Sequence, residues 1–115
     1  MPEFDFAAFR AALEARDPAR WLPFYADDAE WLEYRHDKPP RAPNVMRGKA
    51  AIGRFLEEIA TSQIELAISN ELLGEARAAF TITVVRADGR RIVENVILDH
   101  RDGRIVRQHE VESWD

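Results

Sequence analysis

The chain has 115 residues, 46% hydrophobic and 32% charged, with a formal net charge of −5 and no cysteine. That length suits a single domain over residues 1–115, long enough to bury a core. The acidic balance argues against a nucleic-acid partner, which basic patches would have to hold, and the missing cysteines exclude disulfides, thiolate catalysis and thiolate metal sites.

In chain order, Met1-Pro2-Glu3-Phe4-Asp5 is acidic and lacks the apolar core of a secretory signal. No run approaches the roughly 18 apolar residues of a membrane span, so a cytoplasmic protein without membrane contact is expected. Phe6, Phe9 and Leu13 recur at helical spacing, and this first helix ends before Asp17-Pro18. Asp17 suits an N-cap with Pro18 at the first helical position. The short helix it opens carries Trp21, Leu22, Phe24 and Tyr25, and Pro23 inside it predicts a kink or a length of about two turns. Ala29 to Arg35 alternates as a first strand, and His36 to Met46, with Pro39, Pro40 and Pro43, reads as a loop. Gly48 then opens the clearest helix, with Ile52, Phe55, Leu56 and Ile59 on one stripe. Ile64, Leu66 and Ile68 alternate as a half-buried strand, followed by a turn near Gly74-Glu75.

Asp-Gly-Arg occurs twice after that, at Asp88-Gly89-Arg90 and Asp102-Gly103-Arg104, each time between runs rich in β-branched residues. Asp-Gly favours the two-residue hairpin turn, whose centre needs positive φ. Two such turns predict the register: Val84 opposite Val93, Ile82 opposite Asn95, Phe80 opposite Ile97, then Ile97 opposite Gln108 and Asn95 opposite Glu110. One sheet face would then carry Phe80, Ile82, Val84, Val93, Ile97 and Val106, with Asn95, Gln108 and Glu110 as a polar cluster. Such a face is how small-molecule pockets are commonly lined. The other face would hold Thr81, Thr83 and Glu94, but also Val85, Ile92, Val96, Leu98, Ile105 and Val111. That apolar stripe predicts a homodimer through the outer sheet face, unless the aliphatics simply face water. The element order makes the fold α+β, with helices packed on one face of an antiparallel sheet.

This order, with the phrases Tyr25-Ala26-Asp27-Asp28-Ala29 and Arg47-Gly48-Lys49-Ala50-Ala51-Ile52, resembles the ketosteroid isomerase-like and SnoaL-like branch of the nuclear transport factor 2-like superfamily. The resemblance covers essentially the whole chain. It implies a cone-shaped fold of three helices on a curved antiparallel sheet, a fold that hosts isomerases, cyclases, hydrolases, dehydratases and non-catalytic modules. It also implies that the isomerase's carboxylate base corresponds to Glu33. The phenolic oxyanion donor corresponds to Phe9, which can donate nothing, so steroid isomerisation itself is not implied. The second oxyanion group corresponds to Asn95, if the alignment is anchored on Gly103-Arg104-Ile105-Val106.

The chemistry expected from these residues is acid/base. Glu33 shares a strand face with Trp31 and Arg35. If that face looks inward, burial raises the carboxyl pKa towards the working range of a general base. The plainer alternative is an ion pair with Arg35 at the sheet rim. Asn95 would polarise a developing oxyanion, or merely bond Glu110. Glu110 would be a second acid, or exposed. Gln108, Phe9, Trp31, Phe55, Phe80, Ile82, Val84 and Ile97 would contact the ligand. His100 and His109 are expected on the outer face, too far apart to share an ion, and no metal spacing or glycine-rich phosphate loop emerges. The expectation is cofactor-independent isomerase, cyclase or dehydratase chemistry on a small apolar molecule. The rival is a non-catalytic ligand-binding or dimerisation module.

Overall fold

In the computed structural model, which describes residues 3–115, Asp5 caps helix α1 (Phe6–Ala15) by accepting the Ala8 N–H at 3.0 Å. Met1 and Pro2 of the acidic start lie outside the described residues. Asp17 caps the short α2 (Pro18–Trp21) by accepting the Ala19 N–H, and Pro23 sits in a 3-10 turn over Leu22–Phe24. Proline's missing donor thus ends the helix, as expected. Tyr25 leaves the helix and begins strand β1 (Tyr25–Tyr34), which starts earlier than its alternation suggests. Asn44–Arg47, read from sequence as the end of a loop and the approach to the next helix, is an edge strand β2 paired antiparallel to β1. Its prolines lie upstream, in the connection, where no ladder donor is needed.

Helix α3 (Lys49–Thr61) follows, with Ile52 and Leu56 fully buried and Phe55 and Ile59 partly so. The remaining strands are β3 (Ile64–Leu73), β4 (Arg77–Arg86), β5 (Arg91–Arg101) and β6 (Arg104–Trp114). They form one curved, open, six-stranded sheet in the order β2-β1-β6-β5-β4-β3. All neighbours are antiparallel except β1 and β6, which run parallel, so the sheet is not purely antiparallel. With helices on its concave side this is an α+β cone. Phe6, Phe9, Phe24 and Phe80 fill one end of the core, Phe6 meeting Phe80 edge-on at 5.5 Å between ring centres.

The predicted register is off by one twice. In the first hairpin Arg86 N–H bonds Arg90 C=O and Gly89 N–H bonds Arg86 C=O, both at 2.9 Å. The loop is therefore three residues, Ala87-Asp88-Gly89, with Gly89 at φ 85°. This is the alternative connection in which a type I turn ends in a left-handed glycine. Ile82 consequently faces Glu94 rather than Asn95, Val84 faces Ile92, and Phe80 faces Val96. The second turn is the expected two-residue one, with Asp102 and Gly103 both at positive φ. Beyond it, His100 pairs with Ile105 but Asp99 pairs with Arg107, so Val106 is an extra residue, a bulge that flips the phase of β6.

Val93, Asn95 and Ile97 are therefore on the outer face, while Ile92, Glu94, Val96, Leu98 and Ile105 turn inward, against the sequence reading. Thr81, Thr83, Val85 and Val111 do lie outside. His100 also turns to the helical side, stacked on Phe4 at 4.8 Å, whereas His109 lies against Tyr34.

Candidate functional site

The bulge gives the inner face of β6 the series Gln108, Glu110, Glu112 and Trp114. Glu110 lies directly opposite Glu33 of β1, and Glu112 directly opposite Glu94 of β5. Two like-charged cross-strand pairs thus occupy adjacent rows of one sheet face, an arrangement that costs stability when all four groups are ionised. Glu33 is 3% exposed and Glu110 1%, and all four line one cleft of about 640 Å³. Trp21 and Trp31, with Phe55 and Ile59 of α3, form one wall. Leu66, Ile82, Val84 and Ile92 form the sheet wall, and Arg35, Arg86 and Trp114 stand at the mouth. Both arginines lie over the Trp114 ring, at 5.2 and 5.8 Å from its centre.

Each of three carboxyls is held by one neighbouring donor. Asn44 Nδ2 donates to Glu33 Oε1 at 3.0 Å, Gln108 Nε2 to Glu110 Oε1 at 3.0 Å, and Trp114 Nε1 to Glu112 Oε1 at 2.8 Å. The Gln108 amide is oriented in turn by Tyr25, whose buried hydroxyl donates to Gln108 Oε1 at 2.6 Å. Burial pushes the Tyr25 phenol well above its ordinary pKa, with the charge on Glu110 adding to the rise. The Trp21 indole N–H opposes it, approaching the phenol without closing into a hydrogen bond. Tyr25 therefore keeps its proton and donates it to Gln108 Oε1, which leaves the amide NH₂ directed at Glu110.

The acids cannot all be charged at once. Burial, then the bond and charge of Glu112, push Glu33 up to about 7, while Asn44 and Arg35 (3.6 Å away) pull it back. Burial likewise takes Glu112 to about 7 and Glu94, beside the Glu112 charge, to about 8. Glu110 is raised by burial first and then by the charges of Glu94 and Glu33. Glu33 and Glu112 act on each other's titration, so the values near neutrality belong to the pair. Oxygens of Glu33, Glu110 and Glu112 also lie within 4.8 Å of one another, a donor set of the hard, all-oxygen kind that divalent cations take. The sequence reading considered metal ligands among the histidines and did not weigh these three glutamates together.

Of the residues expected at the site, the structure brings together Glu33, Glu110, Trp31, Phe55, Ile82 and Val84. Gln108 lies just beneath, buried behind Glu110. Phe9 and Phe80 belong to the aromatic core rather than the cleft lining. Asn95 is a correction: it is exposed on the outer face, where its Oδ1 accepts from Thr81 Oγ1 at 3.2 Å. Ile97, 38% exposed on that same face, is likewise no part of the cleft. Glu94, Glu112 and Trp114 were missed. The alternation Gln108, Glu110, Glu112, Trp114 was available in the sequence and would have found two of them.

The SnoaL-like domain profile matches residues 6–108 of the chain. Among curated proteins none matches. Among solved structures, a nuclear transport factor 2-like protein of unknown function from Mesorhizobium loti superposes with a TM-score of 0.82 at 19% identity, over 94% of this chain and 87% of its own. A candidate ketosteroid isomerase from Kribbella flavida gives 0.76 at 21% identity, over 96% of this chain and 74% of its own. A candidate polyketide cyclase from Sinorhizobium meliloti gives 0.70 at 17% identity, over 91% of each chain. At these identities the likeness is one of fold.

Proposed function

Because the chain belongs to the SnoaL-like domain family, we propose that its cleft performs cofactor-independent acid/base chemistry on a small, largely apolar molecule. The reaction is of the isomerase, cyclase or dehydratase kind. Glu33 moves the proton and Glu110 is the second acid. The observation that carries this reading is the Glu33 carboxyl, buried in an aromatic-walled cleft and pushed to about 7. A group balanced there takes or gives a proton readily near neutrality. Glu110, buried deeper and held up by its neighbours, keeps a hydrogen to offer to developing negative charge. Asn95, on the outer face, has no role in it. The names borne by the isomerase and cyclase structures support the same class of reaction.

The test is a ¹³C-carboxyl NMR titration of the protein. Glu33 is expected to titrate near 7, against 4.5 for an ordinary glutamate. A midpoint near 4.5 would overturn the base assignment and leave a non-catalytic ligand-binding module.

We also propose that a second copy of the chain covers the outer sheet face. Val93, Ile97 and Val111 are 42%, 38% and 51% exposed there, beside Thr81, Thr83 and Val85. Adjacent exposed aliphatics on a sheet face are the usual mark of an interface. Sedimentation equilibrium at tens of micromolar should give a dimer, and Val111→Asp should give a monomer. A wild-type monomer at that concentration overturns the interface.

A further inference from the structure

Among the described residues, the buried side-chain polar atoms without a hydrogen-bond partner are Trp21 Nε1, Trp31 Nε1 and Arg35 Nε. All three residues line the same cleft, and all three atoms are donors. Buried polar groups are satisfied as a rule, so an orphan in a cleft is a donor awaiting a ligand. Two of the three have company. Trp21 approaches the Tyr25 phenol, and Arg35 Nε lies 3.2 Å from the Asp37 carboxylate. The Trp31 N–H has nothing. Its ring is 3% exposed, stacked parallel to Tyr25 and edge-on to Phe55 at 5.2 Å. The packing fixes the ring plane, and with it the direction of the N–H.

We propose that Trp31 Nε1 is a ligand-binding donor that receives a carbonyl-type oxygen of the cleft's ligand. Trp31 and Glu33 are two positions apart on the inner face of β1, about 6.6 Å between their Cα atoms. An oxygen bonded to the indole at about 2.9 Å places the ligand's adjoining carbon atoms in the cleft that Glu33 also lines. Phe55 and Ile82 flank the apolar body. When Glu33 takes the proton from the carbon beside the carbonyl, the C–H electron pair moves into a new C=C bond. The carbonyl π pair moves onto the oxygen, where the indole N–H meets the new charge. This assignment fills the place that Asn95, outside, and Phe9, without a donor, cannot fill. The binding part rests on the reading of the cleft as a small-molecule site and does not require Glu33 to be a base.

The test uses protein labelled with ¹⁵N at its indoles, titrated with 1-tetralone and with tetralin, which share one bicyclic body with and without the carbonyl. Single Trp→Phe variants assign the three indole signals. Tetralone should bind about tenfold more tightly and move the Trp31 N–H signal downfield, whereas tetralin should not move it downfield. Trp31→Phe should abolish the tenfold preference for tetralone over tetralin, whatever it does to the affinity the two share. Equal affinities, an unmoved Trp31 signal with tetralone bound, or no binding of either at millimolar concentration overturns the proposal. The wild-type titrations decide the matter even if the variant fails to fold. Glu33's own titration is read without ligand, so a failed donor and a failed base give different results.

Discussion

Glu33→Gln is expected to lower kcat/KM by roughly 10²–10⁴-fold on any molecule the cleft turns over, the usual contribution of a positioned proton-transfer group. The substitution keeps the side chain's shape. Its carbonyl can still accept from Asn44 Nδ2, so the fold and the cleft should survive. What is lost is the site of protonation itself. In the wild type the base must be free of its proton to act, so kcat/KM should rise with pH through about 7, where the Glu33–Glu112 pair titrates. The variant's residual rate should not follow that limb. Steady-state kinetics over pH 5–9 checks both statements, and a variant within a few-fold of wild type rules Glu33 out as the proton carrier.

Stability should fall, not rise, between pH 5 and pH 8. In the unfolded chain Glu33, Glu94, Glu110 and Glu112 release their protons near 4.5, while the folded chain holds Glu33 and Glu112 protonated to about 7, Glu94 to about 8, and Glu110 well above its ordinary value. Between those limits the folded state binds more protons than the unfolded one, so raising the pH favours unfolding. The stabilisation is fully present below about 4.5 and is lost as pH climbs through 7 to 8. A carboxyl raised from 4.5 to about 7 corresponds to roughly 3 kcal/mol, and one raised to about 8 to roughly 5 kcal/mol. Coupling among the four keeps the total well under a simple sum, but several kcal/mol is on the order of 10 °C in melting temperature.

Glu110→Gln should recover part of this at pH 8, by about 1–3 kcal/mol, because it removes the cost of holding protonated a buried acid that ionises on unfolding, while Gln108 Nε2 keeps an acceptor. Calorimetry of both proteins across that range is the check. A wild-type melting temperature that is flat or rising to pH 8, or a Glu110→Gln variant less stable there, would refute the picture of a crowded carboxyl cluster.

Much of the architecture was legible because local signals agree with the tertiary structure. Asp17-Pro18 marks a helix start by capping chemistry, the Ile52–Leu56 stripe has helical period, and Phe80, Ile82 and Val84 alternate into the core. The site was legible only in part, because its geometry depends on counting residues through turns. Asp-Gly is compatible with both a two-residue and a three-residue loop, and nothing in Ala87-Asp88-Gly89-Arg90 by itself chooses between them. The first loop's extra residue put Asn95 outside and Glu94 inside. The bulge at Val106, equally silent in sequence, then shifted β6 by one more, and the two offsets cancelled for Gln108 and Glu110. Those two residues were placed correctly, although the pairing that placed them was wrong.

Val106 has a consequence for how such a cleft changes over time. Every inward side chain after it owes its direction to one supernumerary residue. Drawing Val106 itself into pairing with Asp99 would turn Arg107, His109 and Val111 inward in place of the whole carboxylate row, without touching any residue that does chemistry. Deleting Val106 would instead keep Arg107 opposite Asp99 and leave the row where it is. A one-residue slip of the pairing at the start of the last strand can thus rewrite the polarity of the interior wholesale, from acidic to basic and apolar. Point substitutions would need several steps to do the same.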